Sequence, residues 1–168
     1  MNVFALHENP IVAAQMHCDK HVVKMIVEHC QILCTVLVML GVDRQRVPYR
    51  PCFQHHPSVK WAAESLENYM WLLHCTLALC DEKLHRYGTP HKSRAVVLTC
   101  AALVPEVSFP RSGRTEFARA IKKDIYPHLL DTSIFTSSVE AYREYYRIDK
   151  RRFAKWSNRE KPYWWPYP

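Results

Sequence analysis

The sequence predicts a single all-α domain, and three observations carry that reading. Two long apolar-periodic stretches are bracketed by helix start and stop residues, with Asn9 and Pro10 ahead of Gly41, and Pro57 ahead of Gly88. Alternation of the kind a half-buried strand needs is confined to residues 3–6. The chain has 168 residues and is 48% hydrophobic, enough for one core, which excludes disordered and fibrous classes.

In chain order, Asn9 caps and Pro10 opens a first helix of about thirty residues that ends where Gly41 breaks the pattern. A basic loop follows, with Arg44, Arg46 and Arg50 interspersed with Pro48 and Pro51 and closed by His55 and His56. The second helix runs from Pro57 to Gly88. Thr89 and Pro90 open a third, apolar one that reaches about Leu103, after which Pro105 and Pro110 impose irregular chain as far as Gly113. A shorter helix is expected over residues 115–126. Ser137 and Glu140 have capping-box spacing and start a last helix that runs to about Trp156, before the aromatic tail KPYWWPYP. The expected architecture is one compact domain, 1–168, of about five helices with irregular basic loops and an aromatic C-terminal tail, without repeats.

Composition narrows the partner. The 23 Lys and Arg against 16 Asp and Glu leave a net charge of +7 alongside 12% aromatic residues, a balance that favours an anionic partner, with nucleic acid or a nucleotide foremost. Only 3 glycines occur, so no Gly-rich loop can cradle a phosphate, and P-loop and Rossmann sites are excluded. The start, MNVFALHENP, has no basic segment and no sustained apolar run, so no signal peptide is expected. The apolar run at residues 95–104 is too short for a bilayer, so no membrane partner is expected. Seven cysteines is an odd number, and Cys30 and Cys34 share one helix, which fits a reducing cytoplasm.

Helical phase gathers His17, His21, Lys24, Glu28 and Gln31 into an arc of roughly 80°, opposite a core stripe of Val12, Val22, Ile26, Cys30 and Leu33. A solvated helix face would account for such a line. Its chemistry fits a site equally, because two imidazoles, an ammonium, a carboxylate and an amide can move protons or hold an oxyanion. Asp19 and His29 point away from the line, as helix-internal polar partners.

These residues resemble a known family. MNVFALHENP followed by DKHVVKMIVE is similar to the N-terminal region of the phage and bacterial pyrimidine-dimer DNA glycosylases (endonuclease V-like), in which a helix carries Asp-x-His and a Glu seven residues beyond the His. The matching residues are Asp19, His21 and Glu28. The chain also resembles uncharacterised phage proteins with a DKHVVKM segment and an AYREYY-like helix. The resemblance implies attack on the N-glycosidic bond of a damaged or modified pyrimidine in DNA, with AP-lyase activity and no cofactor, in the cytoplasm of a bacterial host. It implies the N-terminal α-amine as nucleophile, Glu28 as the carboxylate that stabilises the sugar cation, and His21 at the DNA surface. An α-amine titrates near pH 8, so some of it is uncharged at neutral pH. Asn2 is bulky enough that the initiator methionine would usually be kept, which gives the amine to Met1, or to Asn2 where processing occurs. Lys24, one turn before Glu28, is the alternative nucleophile, and Lys20 is less well aimed. The arginines that flank the family's glutamate are absent, Val27 and Gln31 standing near their positions. Two other functions stay open: a non-catalytic DNA-binding accessory, and an enzyme of nucleotide or modified-base metabolism.

The remaining basic and aromatic residues suit nucleic acid. Arg147, Lys150, Arg151 and Lys155 interleave with Tyr142, Tyr145, Tyr146, Phe153 and Trp156, and Trp164 follows in the tail. Cations would contact phosphates and rings would stack on bases, unless the rings pack into the core instead. Arg44, Arg46, Arg50 and His56 form the second basic cluster, and His17 and Gln31 extend the line on the first helix. Trp61 and Asn68 could wall a flipped base, although burial is the commoner fate of Trp. His17, Cys18 and His21, like His74, Cys75 and Cys80, lack C-x-x-C or H-E-x-x-H spacing, so no metal is expected, a zinc assembled between helices being the alternative.

Overall fold

The computed structural model describes residues 1–166. Six α-helices carry the fold: α1 Pro10–Met16, α2 Asp19–Met39, α3 Pro57–Glu64, α4 Leu66–Tyr87, α5 Arg94–Leu103 and α6 Ser138–Tyr145. Helix α2 runs through the centre against α3, α4 and α5, and α1 packs along α4. By length and composition α2 could cross a membrane, with a mean hydropathy of 1.8, but 61% of that window is buried inside this bundle. Among the described residues no strand forms, and a lone parallel bridge joins Ser65 to Arg111. Residues 3–6 are buried irregular chain, with Leu6 N bonded back to Phe4 O at 3.0 Å, and pair with no strand. The all-α expectation holds, while several element boundaries differ for identifiable reasons.

The expected first helix is two helices. Asn9 caps α1 through its Oδ1, which accepts from the Ile11 and Val12 amides at 2.9 and 3.2 Å. The helix then stops at Met16 without Gly or Pro, and His17 turns extended. Three successive carbonyls there take tertiary donors. Gln15 O and His17 O each accept from Arg86 at 2.8 Å, and Met16 O accepts from Trp156 Nε1 at 3.0 Å. Chain that meets its hydrogen-bond needs sideways need not continue the helical ladder. The Cys18 carbonyl, accepting from His21 and Val22 at 2.8 and 2.9 Å, restarts it as α2.

The second expected helix is also broken, at Ser65, whose Oγ accepts from Asn68 N at 3.2 Å and caps α4. Gly88 ends α4 at φ +67, as its place in the sequence predicts. Helix α5 starts at Arg94, later than expected, because Lys83 Nζ binds Thr89 O and Oγ1, both at 2.8 Å, and holds that segment off the helix axis. Residues 115–126 form no helix. Their backbone groups are taken by side chains from elsewhere: Thr115 N donates to Asn68 Oδ1 at 2.9 Å, Phe117 O accepts from Ser138 Oγ at 2.8 Å, and Ala118 O accepts from Tyr142 OH at 2.8 Å. The last helix ends at Tyr145, and a π-helical turn, Tyr146–Lys150, leads into the tail.

Candidate active site beside the chain start

The N-terminal segment is pinned from both sides. Asn2 donates through Nδ2 to Ala120 O at 2.9 Å, and its Oδ1 accepts from Val3 N at 2.7 Å and Tyr142 OH at 3.0 Å. Phe4 is buried, and Arg143 Nε binds Leu6 O at 2.9 Å. This anchoring places the Met1 α-amine 3.5 Å from Glu28 Oε2 on α2, while Lys24 Nζ lies 3.1 Å from Glu28 Oε1. Glu28 is 13% exposed and Lys24 is 70% exposed, so the carboxylate sits inside the rim that the lysine forms. Around them is a cleft of about 260 Å³, whose lining includes Met1, His21, Lys24, Glu28, Lys122 and Lys150.

Within the cleft wall His21 stacks face to face on Phe4, with ring centroids 4.6 Å apart, and its Nδ1 is hydrogen-bonded to Tyr146 OH. Burial is the main cause that lowers its pKa to about 2, and nearby His17, Lys150 and Lys24 add repulsion. His21 is therefore a neutral, fixed ring. Lys150 is bonded to Asp149 at 2.5 Å and lies over the Tyr145 ring at 4.5 Å from its centroid, so its ammonium faces the cleft with a defined position. Cations outnumber carboxylates here, and a bound group carrying negative charge would be stabilised by the amine and the three lysines.

Compared with protein-family models, with curated proteins and with solved structures, the chain matches none of them.

Of the line expected on the first helix, His21, Lys24 and Glu28 come together with Met1, and Gln31 is half-buried further along α2. His17 does not belong to it. The break at Cys18 removes it from the helical phase, and it is fully buried, with Nδ1 2.7 Å from Ala13 O, so it cannot meet DNA. Asp19, matched to the family's motif, is bonded to Arg86 at 3.0 Å and to Ser157 Oγ at 2.7 Å, away from the cleft. Lys20 lies over the Phe153 ring at 4.9 Å.

Trp164 is 7% exposed and donates to Met16 Sδ at 3.3 Å, which makes it a plug for the tail instead of a stacking platform. Tyr142, Tyr145, Tyr146 and Trp156 are buried likewise. Arg147 is turned inward to Glu144 at 2.5 Å and Trp164 O at 3.0 Å. Arg44 binds Val47 O at 3.1 Å, and Arg46 forms a two-pronged pair with Glu106 at 2.6 and 2.7 Å. Arg50, Arg151 and Lys155 are exposed. His56 is half-buried and accepts from Ser58 N at 3.2 Å, near enough to the cleft for the Met1 amine and Glu28 to act on its charge. Trp61 and Asn68 are buried, and Asn68 spends its amide on Trp61 O and Thr115 Oγ1, both at 2.8 Å, so they wall no base pocket.

Among the described residues no group of three His, Cys, Asp or Glu is arranged to hold a metal ion, and all seven cysteines are free thiols. Sequence reasoning missed Lys122 and did not place Tyr145, read as a base-stacking ring, or Asn2 beside the cleft. Their only signal is tertiary, because each reaches the cleft from an element distant in sequence.

Proposed function

We propose that this chain processes DNA at the N-glycosidic bond of a damaged or modified pyrimidine, with an amine nucleophile and Glu28 as its carboxylate partner. The observation that supports this most is the Met1 amine held 3.5 Å from a largely buried Glu28 in a small cationic cleft. In this reading the uncharged amine attacks C1′, the C1′–N bond breaks, and the base leaves with that electron pair and takes a proton from water. Glu28 takes the proton released from the attacking nitrogen and stabilises positive charge on the sugar. The C1′–O4′ bond then opens, O4′ receiving the proton that Glu28 holds, and yields the protonated Schiff base from which β-elimination follows.

His21 holds the floor of the cleft, and Lys24, Lys122 and Lys150 are the phosphate contacts. The test is borohydride trapping on duplexes carrying abasic, damaged or modified pyrimidines, followed by mapping of the modified peptide. Adduct on the N-terminal peptide is expected. Adduct on Lys24 transfers the nucleophile to that residue, and no adduct on any substrate refutes the amine mechanism. Glu28→Gln should remove turnover with DNA affinity held within a few fold; loss of folding instead would make Glu28 structural.

A further inference from the structure

The loop before α3 carries an aromatic side chain in an unusual setting. Phe53 is 69% exposed, and its backbone has φ +53, a left-handed conformation that a bulky residue rarely adopts. The flanks are held firmly. Cys52 N donates to Thr35 Oγ1 at 3.1 Å, Thr35 is itself fully buried on α2, and His56 N closes the turn on Phe53 O at 2.9 Å. A strained conformation persists only where the surroundings over-determine it, and here they lift a large apolar ring out of the protein.

The stretch of chain that carries that ring is cationic. From Arg44 to Ala63 the sequence contains no Asp or Glu, and Arg50, His55 and Lys60 are all exposed. An apolar ring set in positive charge matches a polyanion that also offers flat apolar faces, which is the chemistry of a base stack, better than it matches an apolar protein groove. The anchor Thr35 lies two helical turns beyond Glu28 on α2, about 10 Å along its axis, so ring and cleft can engage neighbouring nucleotides of one strand.

We propose that Phe53 is a wedge that enters the DNA base stack and occupies the space left when the target nucleotide turns into the Glu28 cleft. This rests on the glycosidic reading for its target, while the wedge itself needs only DNA. An enzyme that acts on an extruded nucleotide must offset the lost stacking, and an inserted ring does so without reading sequence.

Two measurements on wild type, Phe53→Ala and Phe53→Trp separate the possibilities. The first is fluorescence of 2-aminopurine beside a tetrahydrofuran abasic analogue in a duplex, where no chemistry can occur. The second is borohydride trapping on a natural abasic site in duplex and in single-stranded oligomers. Because Phe53 is mostly exposed, all three proteins should unfold at similar temperatures. Phe53→Ala should lose the fluorescence rise and trap duplex about tenfold more slowly, with single-strand trapping within about twofold of wild type, since a single strand has little stacking to undo. Phe53→Trp should restore both. Equal duplex trapping by wild type and Phe53→Ala overturns the wedge and leaves the glycosidic reading standing. A parallel loss on duplex and single strand also overturns it. A fluorescence rise that depends on Phe53, without any adduct, upholds the wedge and removes the glycosidic reading. Neither signal from wild type removes both.

Discussion

Three buried imidazoles tie the stability of this protein to pH. His17, His29 and His21 have pKa values lowered to about 4, about 3 and about 2, in each case chiefly because burial penalises the charged ring. Their folded values all lie below the unfolded value near 6.5, so the unfolded chain binds protons that the folded one refuses. The stabilisation they retain is complete above the unfolded value and is lost as pH falls beneath it. Three such groups should make unfolding free energy fall by about 4 kcal/mol per pH unit between roughly pH 6 and 5. Urea unfolding at pH 7, 6 and 5 measures this, and a flat profile would show the imidazoles to be solvated. His29→Leu, which removes a ring held only by Thr76 Oγ1 at 3.2 Å, should reduce the slope by about a third.

At the scale of elements, one guanidinium organises the junction on which the cleft depends. Arg86 near the end of α4 is fully buried and binds Gln15 O, His17 O, Asp19 and Glu82, and Glu82 is shared with Arg159 of the tail. This network ends α1, sets the starting point of α2 and so sets the rotation at which His21, Lys24 and Glu28 face the Met1 amine. Arg86→Met leaves Asp19 without its buried cation and strands two carbonyls. It should cost about 3–5 kcal/mol, measured by denaturant unfolding, with a matching loss of borohydride adduct in the folded fraction. Arg86→Lys should recover only part, because an ammonium cannot span the fork. A variant of unchanged stability would mean that the break at His17 and Cys18 is held by Trp156 and the tail alone.

Across the whole molecule, the cations behind the net charge of +7 divide between those that already pair with a carboxylate, most of them at the surface, and those exposed with no such pair shown. Arg46, Arg94, Arg111, Arg114 and Arg147 are paired with carboxylates, whereas Arg50 and Lys155 are exposed. With DNA as partner, affinity should fall steeply with salt. Arg50→Ala should lower the slope of log affinity against log salt by about 1, while Arg147→Ala should leave it unchanged. The reverse order would mean that Arg147 leaves Glu144 and turns outward on binding, and salt-independent binding would argue against a phosphate contact altogether.

What the sequence determined by itself is local. Asn9, Pro10, Pro57, Ser137 and Gly88 mark helix ends because a cap is satisfied by residues two to four away, and helical phase grouped His21, Lys24 and Glu28 because all three lie on the unbroken α2. The second helix reads as unbroken from Pro57 to Gly88, and the cap at Ser65 that divides it emerges only in the structure. Tertiary structure alone decided the break at His17, the irregular course of residues 115–126 and the burial of Trp164, since in each the outcome depends on a donor or a cavity supplied from far along the chain. The meeting of the amine with Glu28 belongs to both scales. The resemblance to a glycosylase family suggested it, and the pinning of Asn2 to Ala120 and Tyr142, contacts that no helical period encodes, fixes the amine there. A backbone group accepts whichever partner packing brings within reach, so periodicity can say where a helix could run but not where a distant side chain will end it.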